Sequence, residues 1–295
     1  MKYLVPLLGT DFMGAWSRQL YPTEPMQGLL RSILITVPIF LFFALLQTFF
    51  GAFFDIVLFD ASPELLQKIA IQIQSGNYAN DVDVANFAKS LLAGMFPAAV
   101  VTTFLAVAAS HYGLPKMKGT LPLHFPKIGP LGWLMIITGF FLLCGFVNIV
   151  LPMAMGINPD DYGVGAGGLN DINSKAGLVE KTMASLASDK GLFLLAFPGA
   201  VLGAPLVEEV LFRGLLFAGL LPRLGPTWTI GVTAALWAAA HLGAAPLFFA
   251  LMIFFMGILL GFLVLRFGSL WVPIACHTTW NLVSTITLYQ AGLGQ

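Results

Sequence analysis

Two adjacent acidic residues, Glu208 and Glu209, lie in a stretch of the chain that is otherwise almost entirely apolar. From residue 191 to the end, the charged side chains are Glu208, Glu209, Arg213, Arg223 and Arg266. Apolar stretches of this length are typical of membrane-spanning helices. An ionisable group at mid-bilayer depth costs about 2.5 to 3.5 kcal/mol on insertion scales. Such groups are therefore candidates for function, and a carboxylate in an apolar chamber is suited to act as a general base.

The spacing of these charges separates the two glutamates. Successive residues of an α-helix are turned by about 100°, so Glu209 and Arg213 share one face and are predicted to form an ion pair. We interpret this pair as supporting the site rather than reacting. Glu208 points away from the pair and must find another partner or hold a proton. It is therefore the candidate base, with a protonated carboxyl bonded to a neighbouring helix as the alternative.

Two histidines belong to the same apolar region. Each shares a helix face with a residue four positions away, in the pairs Trp237 with His241 and His277 with Asn281. If the chain turns at the breaks between predicted helices, a rise of 1.5 Å per residue puts Glu208 and His241 about 20 Å from the same membrane side. The same arithmetic gives about 16 Å for Asn281 and about 10 Å for His277. We therefore expect Asn281 to lie level with Glu208, and His277 about one turn short, an offset that helix tilt can absorb.

Three short motifs in this region resemble those of one protein family. They are Glu-Glu-xxx-Arg from Glu208 to Arg213, an aromatic residue four before a histidine at Trp237 and His241, and a histidine four before an asparagine at His277 and Asn281. In this order, on successive apolar helices, they resemble the CAAX-protease and bacteriocin-processing family (CPBP or ABI), which includes the Rce1-type prenyl-protein endopeptidases. The second motif carries Trp where the family more often has Phe. The resemblance covers about residues 191 to 285.

The resemblance implies an intramembrane endopeptidase of the glutamate type that uses no metal ion or other cofactor. Carried to this chain, Glu208 and His241 would activate a water molecule. His277 and Asn281 would hold the oxyanion of the tetrahedral intermediate. The implied partner is a membrane-associated peptide or protein, such as a prenylated CAAX-type C-terminus or a leader peptide, and the sequence does not identify it.

Two alternatives stay open at this point. Glu208, His241 and His277 have the types of side chain that form a zinc shell of two histidines and one carboxylate. The chain lacks a His-Glu-xx-His helix, however, and our prediction is a site without metal. The protein could also be a non-proteolytic membrane scaffold or an immunity-type protein that retains the motif.

The composition of the whole chain agrees with a membrane location. Its 295 residues are 58% hydrophobic and 9% charged, whereas soluble domains are about 25% charged. Fourteen basic residues balance fourteen acidic ones, so no basic field exists to attract nucleic acid. Cys144 and Cys276 lie in apolar runs and read as buried hydrophobic residues. We predict an all-α polytopic integral helix bundle in the cell membrane, with about seven or eight transmembrane helices, lipid contacts and a C-terminal catalytic helical core.

Seven apolar segments are long enough to cross a bilayer. They are residues 32–54, 91–110, 131–155, 191–221, 227–242, 246–267 and 270–289. The polar connectors 55–90, 111–130 and 156–190 are predicted to lie outside the bilayer core. We divide the chain into an N-terminal segment (1–27), a variable transmembrane region (28–190) and a protease-like core (191–290).

Five polar residues before position 190 receive no catalytic role. Arg31 and Asp55 are predicted to bracket the first span at the membrane interfaces. His111 and His124 are interpreted as interfacial, and Asn148 as a candidate for an interhelical hydrogen bond. The orientation stays open: the distribution of basic residues favours a cytoplasmic N-terminus, whereas the cytosol-facing processing of prenylated proteins in the resembling enzymes implies the reverse.

Overall fold

The computed structural model describes residues 25–75, 82–112, 121–154, 156, 182, 185–242 and 247–293. Within these ranges the chain forms helices and the short segments that connect them, and no β-strand. The prediction of an all-α membrane helix bundle is confirmed. Most of the predicted connector 156–190 lies outside the described residues, as do residues 243–246, where the predicted helices 227–242 and 246–267 meet.

In the described residues, four α-helices precede the motif-bearing region. They are α1 (Pro25–Phe59), α2 (Pro63–Ser75), α3 (Val82–Tyr112) and α4 (Pro130–Ala154). Helices α1 and α3 contain the first two predicted spans and extend beyond them, and α4 covers the third, 131–155, up to residue 154. α2 is a short helix of the 55–90 connector, with Glu64 in its first turn.

Asp55, which the sequence analysis expected at a membrane interface, lies near the end of α1 and is buried against α3. Its carboxylate accepts a hydrogen bond of 3.1 Å from the Ser90 hydroxyl on α3. The two helices approach closely because Gly94 has no side chain: a Cβ there would lie 2.7 Å from the backbone nitrogen of Gly51. Small residues permit such close packing of membrane helices. The close approach buries the polar pair between α1 and α3.

The motif-bearing region folds into three further helices, α5 (Lys190–Ala240), α6 (Leu247–Phe267) and α7 (Trp271–Leu293). α5 has 51 residues. A straight helix of that length would measure about 76 Å, more than twice the hydrocarbon thickness of a bilayer. It bends at Gly225, which lies between two prolines and has a φ of 71°. The bend separates a first limb (190–224), which contains the predicted helix 191–221, from a second limb (226–240), which ends two residues before the predicted helix 227–242 does.

Five of the seven helices are long and apolar enough to cross a membrane. They are α1, α3, α4, α5 and α6. α7 carries His277 and Asn281 among several threonines and is not one of these five. Because α5 is long enough to cross twice, the chain is a multi-pass membrane protein.

The first limb of α5 is the centre of the bundle. Every residue from Glu209 to Leu216 is buried, and the limb packs against α1, α3 and α7. Gly199 allows the approach to α3, since a Cβ there would lie 2.9 Å from the carbonyl oxygen of Leu92. α6 packs mainly against the second limb, and α4 contacts α6 and α7. The acidic motif is thus enclosed on several sides.

Candidate active site

The first limb of α5 is irregular around its acidic residues. Two π turns, Gly199–Gly203 and Glu209–Leu216, flank the α-helical turn Ala204–Glu208. Glu208 therefore ends a regular turn, and Glu209 begins a wide one. π turns in α-helices occur frequently at functional sites. The two glutamates have similar helical backbone angles, φ −68° and ψ −46° at Glu208 and φ −65° and ψ −38° at Glu209, and differ in their side-chain partners.

Glu209, Arg213 and His277 form a buried group that we call the closed cluster. The Oε1 atom of Glu209 accepts a hydrogen bond of 3.0 Å from Arg213 Nη1 and lies 3.0 Å from His277 Nδ1. Glu209 and Arg213 are fully buried, and His277 is 3% exposed. The ion pair predicted from the spacing is therefore present. The contact between His277 and Glu209 was not predicted.

Arg213 ties the closed cluster to two other elements. Its Nη2 atom donates to the carbonyl oxygen of Gly257 on α6 at 3.4 Å. Its guanidinium carbon lies 4.3 Å from the centre of the Trp237 ring on the second limb. Gly257 leaves room for this arrangement, because a Cβ there would lie 3.1 Å from Nη2 and 2.9 Å from the Cβ of Ala234. The closed cluster thus links both limbs of α5 with α6 and α7.

Glu208, Trp237 and His241 form a second group that we call the open cluster. The indole Nε1 of Trp237 donates a hydrogen bond of 2.6 Å to Glu208 Oε2. The Nδ1 atom of His241 lies 2.8 Å from the backbone oxygen of Trp237. Trp237 is buried, whereas Glu208 and His241 are partly exposed. The carboxylate that remained unpaired in the sequence analysis therefore has a neutral donor rather than a cation as its partner.

The hydrogen bond of His241 determines which of its nitrogens carries the proton. A backbone carbonyl oxygen only accepts hydrogen bonds, so Nδ1 of His241 is the donor. In a neutral imidazole the other nitrogen, Nε2, then has a free lone pair. A neutral His241 can therefore accept a proton or a hydrogen bond through Nε2.

The relative positions of Asn281 and His277 differ from the prediction. Asn281 Nδ2 donates to the carbonyl oxygen of Ala200 at 2.9 Å, eight residues before Glu208, while His277 is in contact with Glu209. The expected offset, with Asn281 level with Glu208 and His277 about one turn short, is not the one observed, because His277 reaches the acidic motif itself. It assumed a regular rise per residue, and the π turn that begins at Glu209 changes that rise and the register of the helix. The second N–H of the Asn281 amide is not used in the bond to Ala200.

A cavity of about 790 Å³ brings the four predicted catalytic residues together, since Glu208, His241, His277 and Asn281 all line it. The rest of its wall is mostly apolar and includes residues from α1, α4 and α6, among them Phe40, Phe43, Phe141, Met252 and Met256. Ligand sites in proteins are commonly apolar cavities of about 300 to 1,000 Å³ with a few convergent polar groups. The helices before residue 190 therefore complete a cavity whose carboxylate and imidazole groups come from the motifs.

Three other polar residues, Asn148, His124 and His111, were given no catalytic role in the sequence analysis. Asn148 lines the cavity, and its Nδ2 donates to the carbonyl oxygen of Cys144 on the same helix, so this bond is not the interhelical one expected. His124 is exposed in the segment before α4. The side chain of His111 lies outside the described residues.

The donor set considered for zinc is divided among other partners. Glu208 accepts from Trp237, and His277 contacts Glu209. Among the residues that the structure describes, no three His, Cys, Asp or Glu side chains are arranged to hold a metal ion.

Trp237 is the functional candidate that the sequence reasoning missed, because it was read only as the aromatic residue of a motif. A buried indole N–H usually finds a hydrogen-bond acceptor. The nearby motif contains two carboxylates, and the spacing already assigned one of them to Arg213. The other carboxylate was therefore a predictable acceptor for the indole.

Comparison with known proteins identifies this region. Residues 190–283 match the family described as Type II CAAX prenyl endopeptidase Rce1-like. The match covers the three motifs and confirms the family recognised from them. No curated protein and no solved structure match the chain.

Proposed function

We propose that the chain is an intramembrane glutamate-type endopeptidase in which Glu208 is the general base, because residues 190–283 match the Rce1-like family of Type II CAAX prenyl endopeptidases. The observation that carries the proposal is the set of contacts that the Glu208 carboxylate makes. This carboxylate faces a cavity, has no cationic partner among the contacts described above, and has only Oε2 engaged by Trp237. Its Oε1 atom is the oxygen available to a water molecule.

In the proposed reaction, Glu208 removes a proton from a water molecule as the water oxygen attacks the carbonyl carbon of the scissile peptide bond. His241 accepts a hydrogen bond from the same water through Nε2 and so orients it. The C–N bond then breaks, and the proton held by Glu208 passes to the leaving amine. The products are a carboxylic acid and an amine, and no metal or redox partner is required.

His277 and Asn281 are proposed to stabilise the oxyanion that forms in this reaction. Because Nδ1 of His277 faces the Glu209 carboxylate, Nε2 can donate to an oxyanion only when the ring is an imidazolium. Asn281 contributes the amide N–H that Ala200 does not use. Donors fixed in a water-poor cavity stabilise developing charge strongly.

The apolar wall of the cavity supports a membrane-associated substrate. Side chains such as Phe40, Phe141 and Met256 can pack against a hydrocarbon chain or apolar residues next to the scissile bond. We therefore propose a prenylated CAAX-type C-terminus or a membrane-bound leader peptide as the substrate class, and the cell membrane as the location.

Comparative proteomics of membranes tests this function. Cells with the wild-type protein and cells with Glu208→Gln are compared for a peptide bond that is cut only in the former. Such a bond is the expected result and would identify the substrate. If the cellular phenotype survives both Glu208→Gln and His241→Ala and no such bond exists, the protein is instead a non-proteolytic scaffold or immunity-type protein.

A further inference from the structure

We propose that Trp237 is a positioning residue that orients the carboxylate of Glu208 through its indole N–H, an inference that rests on the endopeptidase function proposed above. Trp237 does not touch a reacting atom in this account. It acts by deciding which oxygen of Glu208 faces the water and where that oxygen lies.

The contact between the two side chains is short and one-directional. Trp237 Nε1 lies 2.6 Å from Glu208 Oε2, and an indole nitrogen can only donate. Hydrogen bonds to an ionised acceptor are shorter and stronger than neutral ones. Trp237 is only 1% exposed, so packing fixes the donor. The bond therefore fixes Oε2 and leaves Oε1 for the proposed water.

Trp237 also holds the second member of the proposed base pair. Its backbone oxygen lies 2.8 Å from His241 Nδ1, and its ring meets the His241 ring edge to face at 5.4 Å. Glu208 is on the first limb of α5, and His241 follows the second limb. One residue thus sets the positions of two groups that come from different limbs.

The closed cluster acts on Glu208 through the same indole. The Arg213 guanidinium lies over one face of the Trp237 ring at 4.3 Å, and the His277 ring meets it edge to face at 5.3 Å. A cation over an aromatic face is attracted by its electrons. That attraction withdraws electron density from the indole and makes its N–H a better donor to Glu208. A phenylalanine at this position would keep the ring contacts and lose the donor.

The first test is independent of catalysis. Selective ¹⁵N labelling of the six tryptophans gives indole N–H signals, and Trp237→Phe identifies the signal of Trp237. In Glu208→Gln this signal is expected to move upfield, because a neutral amide oxygen is a weaker acceptor than a carboxylate. The signal of Trp271, whose indole donates to the Leu123 carbonyl oxygen at 2.7 Å, should stay in place. A Trp237 signal that ignores Glu208→Gln overturns the inference.

The second test is kinetic. It uses a synthetic peptide that spans the bond found by the proteome comparison, in phosphatidylcholine vesicles. Trp237→Phe is expected to lower kcat about 10- to 100-fold, as is typical for loss of a residue that orients a catalytic group, with KM unchanged. Trp271→Phe is the matched control, since it loses an indole hydrogen bond outside the cavity and should keep the wild-type kcat.

The outcomes separate the two proposals. If Glu208→Gln is inactive while Trp237→Phe keeps the wild-type kcat, the positioning role is overturned and the endopeptidase function stands. If no Glu208-dependent cleavage exists, the function fails and the positioning role fails with it, whatever the indole signal shows. Should Trp237→Phe not fold, benzothienylalanine at position 237 replaces it, because that residue keeps the ring shape and lacks only the N–H.

Discussion

The closed and open clusters contain adjacent glutamates that the fold treats in opposite ways. Glu209 is fully buried, and a single oxygen faces both Arg213 and His277. Glu208 is partly exposed to a cavity and has one neutral donor, Trp237. A buried carboxylate in an ion pair has no room for a ligand, whereas a cavity-facing carboxylate with one free oxygen can contact one. The difference suits Glu209 to structure and Glu208 to chemistry.

The two clusters nevertheless contact the same side chain, that of Trp237. The Trp237 ring lies between them, with Arg213 over its face and Glu208 at its N–H. The closed cluster joins both limbs of α5 to α6 and α7, so its charges determine how the cavity is assembled. Different residues of this site serve structure and chemistry, and the Trp237 ring connects them.

The largest expected effect is the loss of cleavage in Glu208→Gln. The amide oxygen still accepts the Trp237 N–H, so the shape of the open cluster is kept while the base is removed. We expect kcat to fall about 10³-fold, within the range for loss of a general base. The free energy of unfolding in detergent should stay within about 0.5 kcal/mol of the wild type, because no buried group loses its partner.

Glu64→Gln is the matched control for this change. Glu64 is an exposed glutamate in the first turn of α2, so its substitution should leave both kcat and stability unchanged. Equal activity of Glu208→Gln and Glu64→Gln would contradict the assignment of chemistry to the open cluster.

The next effect concerns stability and belongs to the closed cluster. Arg213→Met leaves the carboxylate of Glu209 buried without its cation. Removal of one partner of a buried ion pair typically costs about 3 to 5 kcal/mol, and we expect a loss of this size in reversible unfolding in detergent. Cleavage should fall by more than the folded fraction does, because the Trp237 ring also loses the guanidinium that strengthens its N–H as a donor to Glu208.

A double variant distinguishes the charge from the packing. Glu209→Leu combined with Arg213→Met removes both charges, and apolar replacements of a buried pair are often neutral or stabilising. We expect the double variant to recover most of the stability that Arg213→Met loses. Arg223→Met, at an exposed arginine beyond the cluster, should be nearly silent. A double variant as unstable as Arg213→Met would show that the cluster acts through shape rather than charge.

The helical segments were predictable because each carries a long apolar run with clear breaks. The α5 bend at Gly225 lies between Pro222 and Pro226, which are strong local signals. The burial of Asp55 was not predicted, because a charged residue near the end of a span usually marks an interface. Its partner Ser90 comes from another helix, and the pairing depends on the glycine contact between α1 and α3. Long-range packing of this kind leaves no periodic trace in the sequence.

The residues that form the candidate site were largely predictable from the sequence, whereas the contacts among them were less so. The i,i+4 spacing of Glu209 and Arg213 is a local property of a helix, and the pair was found from it. The register of His277 and Asn281 against the first limb was not predicted correctly. The π turns at 199–203 and 209–216 change the number of residues per turn, and arithmetic for a regular α-helix does not include them. The Trp237 to Glu208 bond joins positions 29 residues apart and needs the bend of α5 to form.

A smaller loss of stability is expected from Gly257→Ala, where α6 meets Arg213. The new Cβ would lie 2.9 Å from the Cβ of Ala234 and 3.1 Å from Arg213 Nη2. Overpacking of this kind typically costs about 1 to 3 kcal/mol. Gly231→Ala is the control, since a Cβ there meets nothing within 4 Å and alanine is favoured over glycine in a helix by about 1 kcal/mol. Equal stabilities of the two variants, measured by unfolding in detergent, would mean that Arg213 is not tightly held.

The smallest expected effect is that of a chelator, which should leave the rate of cleavage unchanged. Glu208 accepts a hydrogen bond from Trp237, and His277 contacts Glu209. Two of the three side chains in the zinc shell considered above therefore have separate partners. Purified protein is treated with a strong chelator, dialysed and assayed on the cleaved peptide, with a known zinc protease treated in parallel. An unchanged rate is expected, because the proposed steps require only the carboxylate, the imidazoles and the amide. Complete loss that zinc restores would mean that the open cluster rearranges around a metal, and it would replace the division between the two clusters with a single metal centre.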